Sequence, residues 1–366
     1  MTWTAADHQY MSRALQLARR GLYTTHPNPR VGCVLVKDDR IIAEGWHEYT
    51  GGPHAEVNAL NNAQADVTDA TCYVTLEPCC HSGRTPPCTD ALIKAGIKKT
   101  IIATLDPNPE VAGQGRDKLE QAGIEVELGL MEMAAAQINR GYIIRRTSGR
   151  PLVRCKLAVS LDGRTALADG TSKWITGPEA RLDVQRLRAE SSAIMTGIGT
   201  VLADDPSLNV RDIKKERQPL RVIIDPELKF PASAKMLALP GRTLIFTENH
   251  DLSLHESLVQ SGAEIMSIEA GQTGFLQQVM SHLAGQEEIN EVLLETGATL
   301  AGSMLNAGLI DELVIYQAPL LLGDSGKGMF HLPELKTMDD RIELVLIDTR
   351  QVGKDVRITC KVKRAK

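Results

Sequence analysis

Residues 71–95 read TCYVTLEPCCHSGRTPPCTDALIKA, and residues 53–56, shortly before, read PHAE. Thr71–Leu76 is a β-rich run and Thr89–Ala95 carries a helical pattern, so the segment reads as strand, loop, helix. The loop holds three of the chain's seven cysteines, Cys79, Cys80 and Cys88, together with Pro78, Pro86 and Pro87. A strand feeding a helix through a short connection is the building unit of layered α/β folds.

The same alternation extends outward. Val31–Val36 is a strand, Asp38-Asp39 a turn and Ile41–Gly45 the returning strand of a hairpin. Met11, Leu15, Ala18 and Leu22 recur at helical spacing near the N-terminus, and Ala55–Ala65 is helical in pattern. Lys99–Thr104 is a buried strand, Gly115–Ala122 a helix and Glu125–Gly129 a short strand. Turn formers at Thr147-Ser148-Gly149-Arg150-Pro151 mark a boundary, giving expected domains 1–148 and 149–366. The second begins with a strand at Leu152–Ser160. Helices are expected at Ala180–Arg188, Gln277–Leu283 and Thr299–Ala307. Further strands fall at Ala193–Gly197, Arg221–Asp225, Thr243–Thr247 and Val292–Glu295. Glu312–Gln317, Glu343–Ile347 and Val356–Val362 follow one another without obvious helices, which makes the sheet mixed.

Composition narrows the function classes. The chain has 366 residues, 43% hydrophobic and 24% charged, with a formal net charge of −5. That is the globular range, and its length suits two or three domains. Aromatic residues are 4%, too few for extended base-stacking surfaces, and neither half is basic, so no nucleic-acid partner is expected. No apolar run is long enough for a membrane span. Met1–Gly21 contains Asp7, Arg13, Arg19 and Arg20 and no apolar block, so it does not read as a signal peptide. Its arginines leave a transit peptide as the alternative, which Asp7 opposes. The expected setting is cytoplasmic, where clustered cysteines point to metal or catalysis rather than disulfides.

His54, Cys79 and Cys88 supply one nitrogen and two sulfurs, the donor types zinc accepts at a three-ligand catalytic site. Glu56, two residues from His54 at a helix start, stands near the metal without ligating it. This is the H-x-E…P-C…C arrangement of zinc deaminases, in which the glutamate carries protons. Their usual spacing puts two residues between the cysteines; here there are eight. A structural zinc site with Cys80 or His81 as fourth ligand competes with this reading but leaves Glu56 idle. Cys79 is preferred over Cys80 because it directly follows Pro78. Asn28, in the rigid turn His26-Pro27-Asn28-Pro29, either presents its amide to a base-like ring or simply shapes the turn. Arg84, inside the cysteine loop, either holds a phosphate or is solvated.

The second half is less explicit. Gly197-Ile198-Gly199-Thr200 follows a strand but lacks the third glycine of a dinucleotide fingerprint. Glu295 through Gly302 reads strand end, glycine turn, helix start, a place where backbone N–H groups can meet phosphate. Asp204-Asp205-Pro206 and Ser207–Arg211 form a polar loop. Trp174 either stacks on a ligand ring or fills the core.

Taken together, several segments resemble the bifunctional riboflavin-biosynthesis deaminase/reductase family. They are Thr25–Pro29, Val31-Gly32-Cys33, His54-Ala55-Glu56, Val74–Cys79, Gly83–Cys88, Asp106–Pro109 and Val111–Gly115. The likeness continues through Lys156–Gly163, Trp174-Ile175-Thr176, Val201–Pro206 and Leu305–Glu312, so it covers nearly the whole chain. The eight-residue cysteine gap is normal in that family. The resemblance implies an α/β chain with a cytidine-deaminase-like α/β/α sandwich, followed by a dihydrofolate-reductase-like mixed-sheet domain. It implies zinc at His54, Cys79 and Cys88, with Glu56 as proton shuttle. It further implies NADPH contacts at Ala158, Trp174, Thr176, Thr200, Asp204 and the turn Gly297, Ala298, Thr299, Leu300, Ala301, Gly302 and Ser303. Substrate contacts follow at Lys156, Ser172, Arg188, Leu208, Arg211 and Glu295, with Arg188 and Arg211 suited to a sugar phosphate. Pro226 stands where a cofactor-contacting Ser is usual, and Ala298 where Pro is frequent. The implied reactions are hydrolytic deamination of a diaminopyrimidinone ribosylamine phosphate, then reduction of its ribosyl group by NADPH. The implied partner is that small molecule, and the reading leaves room for a homo-oligomer. A nucleoside or tRNA deaminase with an unrelated appendage is the alternative enzyme.

Overall fold

The N-terminal hairpin turns on two residues, Asp38 and Asp39, both at positive φ (50° and 58°). That is the conformation whose twist suits a two-residue hairpin. The computed structural model describes residues 3–81, 86–109, 111–213, 217–269, 271 and 274–363. Arg84, Ser82 and Gly83 lie outside the described residues. The chain divides into two units, Met1–Gly149 and Arg150–Lys366.

In the first unit the helices and strands run α1 (Ala5–Ala18), β1 (Gly32–Lys37), β2 (Arg40–Trp46), α2 (Ala55–Asn62), β3 (Thr71–Val74), α3 (Cys88–Lys94), β4 (Lys99–Ile102), α4 (Gln114–Gln121), β5 (Glu125–Leu128), α5 (Glu132–Ile138) and α6 (Arg140–Ser148). The sheet order is β2-β1-β3-β4-β5. β1 is antiparallel to β2 and β3, while β3, β4 and β5 are parallel. Period-2 alternation sends β1 side chains to both faces. Cys33 and Leu35 pack with Ala55, Ala59, Leu92 and Leu119 from α2, α3 and α4. Val34 and Val36 pack on Met11, Ala14 and Leu15 of α1, with Ala135 of α5. This is the expected α/β/α sandwich. α1 starts with a capping box in which Thr4 and Asp7 satisfy each other's backbone N–H groups.

In the second unit they run β6 (Leu152–Ser160), β7 (Arg164–Ala166), α7 (Pro178–Glu190), β8 (Ala193–Gly197), α8 (Ile198–Asp204), β9 (Leu220–Ile224), β10 (Thr243–Thr247), α9 (Leu252–Gln260), β11 (Glu264–Ser267), α10 (Phe275–Gly285), β12 (Glu291–Leu294), α11 (Ala298–Asn306), β13 (Glu312–Ala318), β14 (Lys327–Gly328), β15 (Leu344–Val352) and β16 (Asp355–Val362). Nine of these strands form one sheet, ordered β11-β10-β9-β8-β12-β6-β13-β16-β15. The first seven are mutually parallel, and β16 pairs antiparallel with both β13 and β15, so the sheet is mixed as expected. β12 is inserted between β8 and β6, which reverses the direction of winding there. In open α/β sheets that reversal opens a crevice at the carboxyl ends of the strands, where ligands bind. Gly197 and Gly297, the N-caps of α8 and α11, follow the neighbouring strands β8 and β12 at that end. The polar loop from Asp205 onward follows α8.

Candidate functional site

His54 is the N-cap residue of α2, with extended backbone, and Glu56 lies in the helix's first turn. α2 rests on β2 at backbone distance. A Cβ on Gly45 would meet Ala59 N at 2.3 Å and Ala55 O at 2.4 Å, so only glycine lets the helix approach this closely. Cys88 opens α3. Its backbone N–H donates to Cys79 Sγ at 3.3 Å, and Thr89 N–H donates to the Cys79 carbonyl at 3.2 Å. Cys79 itself follows Glu77, whose buried carboxylate accepts N–H groups from Asp106 (3.2 Å), Gly113 (3.0 Å) and Arg116 (3.0 Å). That carboxylate anchors the end of β3 to the start of α4.

His54 Nδ1 is 3.2 Å from Cys88 Sγ and 3.5 Å from Cys79 Sγ. The ligand atoms of His54, Cys79 and Cys88 lie within 4.8 Å of one another; Cys80 and His81 are not in this cluster among the described residues. The hydrogen bond from the Cys88 thiol, with those of His54 and the Cys88 N–H, pulls the Cys79 thiol down to about 4 against the effect of burial. Hydrogen bonding to Cys79 moves His54 up and Cys88 well up. One nitrogen and two sulfurs, with hydrogen bonds that favour the thiolate form of Cys79, fit a zinc ion. Glu56 is 3% exposed. Burial pushes its carboxyl up to about 7; the charge of Cys79 adds to this, and His54 opposes it. A carboxyl in that range can both take and give a proton near neutral pH.

His47 was not singled out in the sequence. Its ring stands edge-on to His54, centroids 5.3 Å apart. Nδ1 contacts the Pro53 carbonyl at 3.0 Å, and Nε2 contacts Asn28 Nδ2 at 3.2 Å. A carbonyl only accepts, so Nδ1 carries the proton and Nε2 accepts from the Asn28 amide. Asn28 is thus brought to the histidine pair with its amide nitrogen engaged. Asn139, 2% exposed, clamps the same turn by bonding both the backbone N–H and the carbonyl of Arg30, at 2.8 and 2.9 Å.

In the second unit Glu295 follows β12 and meets two cations. Arg188 of α7 donates to it from Nε at 2.6 Å and Nη2 at 3.0 Å, and Lys156 Nζ of β6 lies at 3.5 Å. Burial alone would raise the Glu295 carboxyl; the charges of Arg188 and Lys156 outweigh it and hold it at about 2. Arg188 Nη1 donates to the Asn209 carbonyl at 3.0 Å. The Arg188 fork, suited to a sugar phosphate, is paired with Glu295 in this structure. Arg211 is exposed, its backbone N–H held by Gln185 Oε1 at 2.9 Å. Leu208 is 3% exposed and packed in the core, at a φ of 41°.

The residues expected around the cofactor separate by exposure. Gly297, Thr299 and Ser303 are exposed, and Ala298 and Leu300 half-buried. Ala301 is fully buried, and a Cβ on Gly302 would meet the His331 carbonyl at 2.1 Å, so these two serve the packing of α11. Ala158, Ser172, Thr176 and Thr200 are half-buried. Asp204 pairs with Lys173 at 3.2 Å. Trp174 is 71% exposed and so does not fill the core.

Residues 151–358 match the description "RibD C-terminal domain", and residues 4–104 match "Cytidine and deoxycytidylate deaminase zinc-binding region". The chain is 46% identical to the riboflavin biosynthesis protein RibD of Escherichia coli (strain K12), covering 96% of this chain and 98% of that one. Identity to the Haemophilus influenzae protein of the same name is 45%, over 98% of each. Among solved structures, Acinetobacter baumannii RibD, form 1, superposes with a TM-score of 0.92 at 46% identity, covering 98% of this chain and 99% of that one. A diaminohydroxyphosphoribosylaminopyrimidine deaminase/5-amino-6-(5-phosphoribosylamino)uracil reductase from Thermotoga maritima does so with a TM-score of 0.88 at 34% identity, with the same coverage.

Proposed function

The chain belongs to the riboflavin-biosynthesis deaminase/reductase family, and from that premise we propose how its residues divide two reactions between them. The enzyme is bifunctional, a zinc-dependent hydrolase in its first domain and an NADPH-dependent oxidoreductase in its second. It deaminates a diaminopyrimidinone ribosylamine phosphate and reduces the ribosyl group to ribityl. We place the domain boundary at 148/149.

For deamination, His54, Cys79 and Cys88 hold the metal. Zinc supplies Lewis acidity that activates water near neutral pH. Glu56 takes the proton of the attacking water and delivers it to the leaving amine. Its burial beside the three ligands is the observation that carries this assignment. Asn28, oriented by His47, faces the pyrimidine ring, and we keep Arg84 as a phosphate contact.

For reduction, NADPH supplies the hydride. The exposed α11 turn at Gly297–Thr299, with Ser303, fits the cofactor phosphates, and Ala158, Trp174, Thr176, Thr200 and Asp204 line its path. Lys156 and Glu295 meet the substrate with Ser172 and the Leu208 backbone. Arg188 acts through Glu295, which leaves Arg211 as the guanidinium with an exposed position for the sugar phosphate.

For self-association we assign β15. As the outermost strand it leaves Leu344, Val345, Leu346 and Ile347 between 43% and 62% exposed, and an apolar edge of this kind is covered by pairing with a second copy. We assign the cytoplasm, in keeping with cysteines that cluster as metal donors rather than pairing as disulfides. No described helix is long and apolar enough to cross a membrane. The test is ammonia release and NADPH oxidation by the zinc-loaded chain. A chain that oxidises NADPH with pre-deaminated substrate but never releases ammonia from the diamino substrate would refute the assignment of the first domain.

A further inference from the structure

Trp174 is one of three tryptophans, yet its indole is 71% exposed. It is held in place from one side. The guanidinium carbon of Arg181 lies 4.7 Å from the ring centroid, and Arg181 Nη1 donates to the Thr176 carbonyl at 2.8 Å. Arg181 owes its position to α7. That helix begins after the N-cap Gly177, whose N–H donates at 2.7 Å to Asp355 Oδ2, a fully buried carboxylate at the start of β16. Lys173, adjacent in the chain, is tied to Asp204 at the end of α8. The result is an aromatic plate with a cation fixed against it.

We propose that Arg181 makes the Trp174 plate selective for the neutral, reduced nicotinamide over the cationic, oxidised one, so that the spent cofactor leaves readily. The proposal rests on the reading that Trp174 contacts the cofactor. An indole face attracts cations through its quadrupole. With a guanidinium already against the ring, a pyridinium stacked on the other face sits roughly 8 Å from a like charge, which is repulsive in partly desolvated surroundings. The dihydropyridine ring is uncharged and meets no such repulsion. Arg181 is in this sense a positioning and specificity residue, acting through Trp174.

The experiment measures calorimetric affinities of the full chain for NADPH and for NADP+. Arg181→Met should shift the affinity ratio toward NADP+ by about 3- to 10-fold. Arg181→Lys, which keeps the charge, should retain most of the wild-type ratio. An unchanged ratio in Arg181→Met, or an equal loss of affinity for both forms, overturns the proposal. Trp174→Leu tests the reading beneath it. If neither affinity moves in that variant, the cofactor does not use Trp174 and the proposal falls with that reading. If Trp174→Leu weakens binding while the Arg181→Met ratio stays fixed, the proposal alone fails.

Discussion

Glu295 takes two N–H groups of Arg188, at 2.6 and 3.0 Å, where both side chains are almost out of reach of solvent. Removing one partner of such a pair strands the other charge, at a cost of about 3–5 kcal/mol. The Glu295 carboxyl titrates at about 2 in the folded chain against an ordinary 4.5. Its stabilisation is therefore complete above the unfolded value and is lost as pH falls from there toward 2. Glu295→Gln should cost about 3–5 kcal/mol at pH 7 and distinctly less near pH 3, read by urea unfolding. An equal cost at both pH values would mean that shape, not charge, matters here.

Glu56 is not a ligand, so Glu56→Gln should keep one zinc per chain. Deamination should fall by roughly 10²–10⁴-fold. The same variant, given pre-deaminated substrate, should oxidise NADPH near the wild-type rate, because the two units use separate residues. Ammonia release at wild-type speed would remove Glu56 from the mechanism.

Among the cysteines of the loop, Cys88 and Cys80 should behave oppositely. Cys88→Ser should lose zinc and deaminase activity together, whereas Cys80→Ser should keep both, since Cys80 is outside the cluster. Metal analysis decides; stoichiometric zinc in Cys88→Ser would bring another donor into the site.

Leu346 and Ile347 are the test of β15, at 62% and 50% exposure. Lysine on an edge strand discourages strand pairing. Leu346→Lys with Ile347→Lys should convert a dimeric wild-type chain to a monomer in sedimentation, with its circular dichroism unchanged. A wild-type chain that sediments as a monomer rules out β15 as an interface.

The metal cluster was legible because its donors are scarce residue types crowded into two short segments, and the main strands because apolar period and length coincide. Other features left no such trace. α8 starts on Gly197-Ile198-Gly199, and two glycines argue for a turn rather than a helix. β11 is half-buried at all four positions, so it shows no alternation. α5 and α6 are short and meet at Asn139, which broke the helical period across 132–148. His47 is a single histidine in a loop; only folding sets it beside His54. The Arg188–Glu295 pair joins residues 107 positions apart, beyond any local pattern.

The ends of the cysteine loop are fastened independently of what lies between them. Cys79 is fixed by Glu77 and by the bonds it shares with Cys88 and Thr89, and Cys88 by the first turn of α3. Ligand geometry and ligand spacing are consequently separate variables, and the span from 80 to 87 can lengthen or shorten at small entropic cost without moving a donor atom. The wide gap between the cysteines is then compatible with an unchanged donor set, because the two ligand positions are held by their own elements and not by the length of chain that joins them.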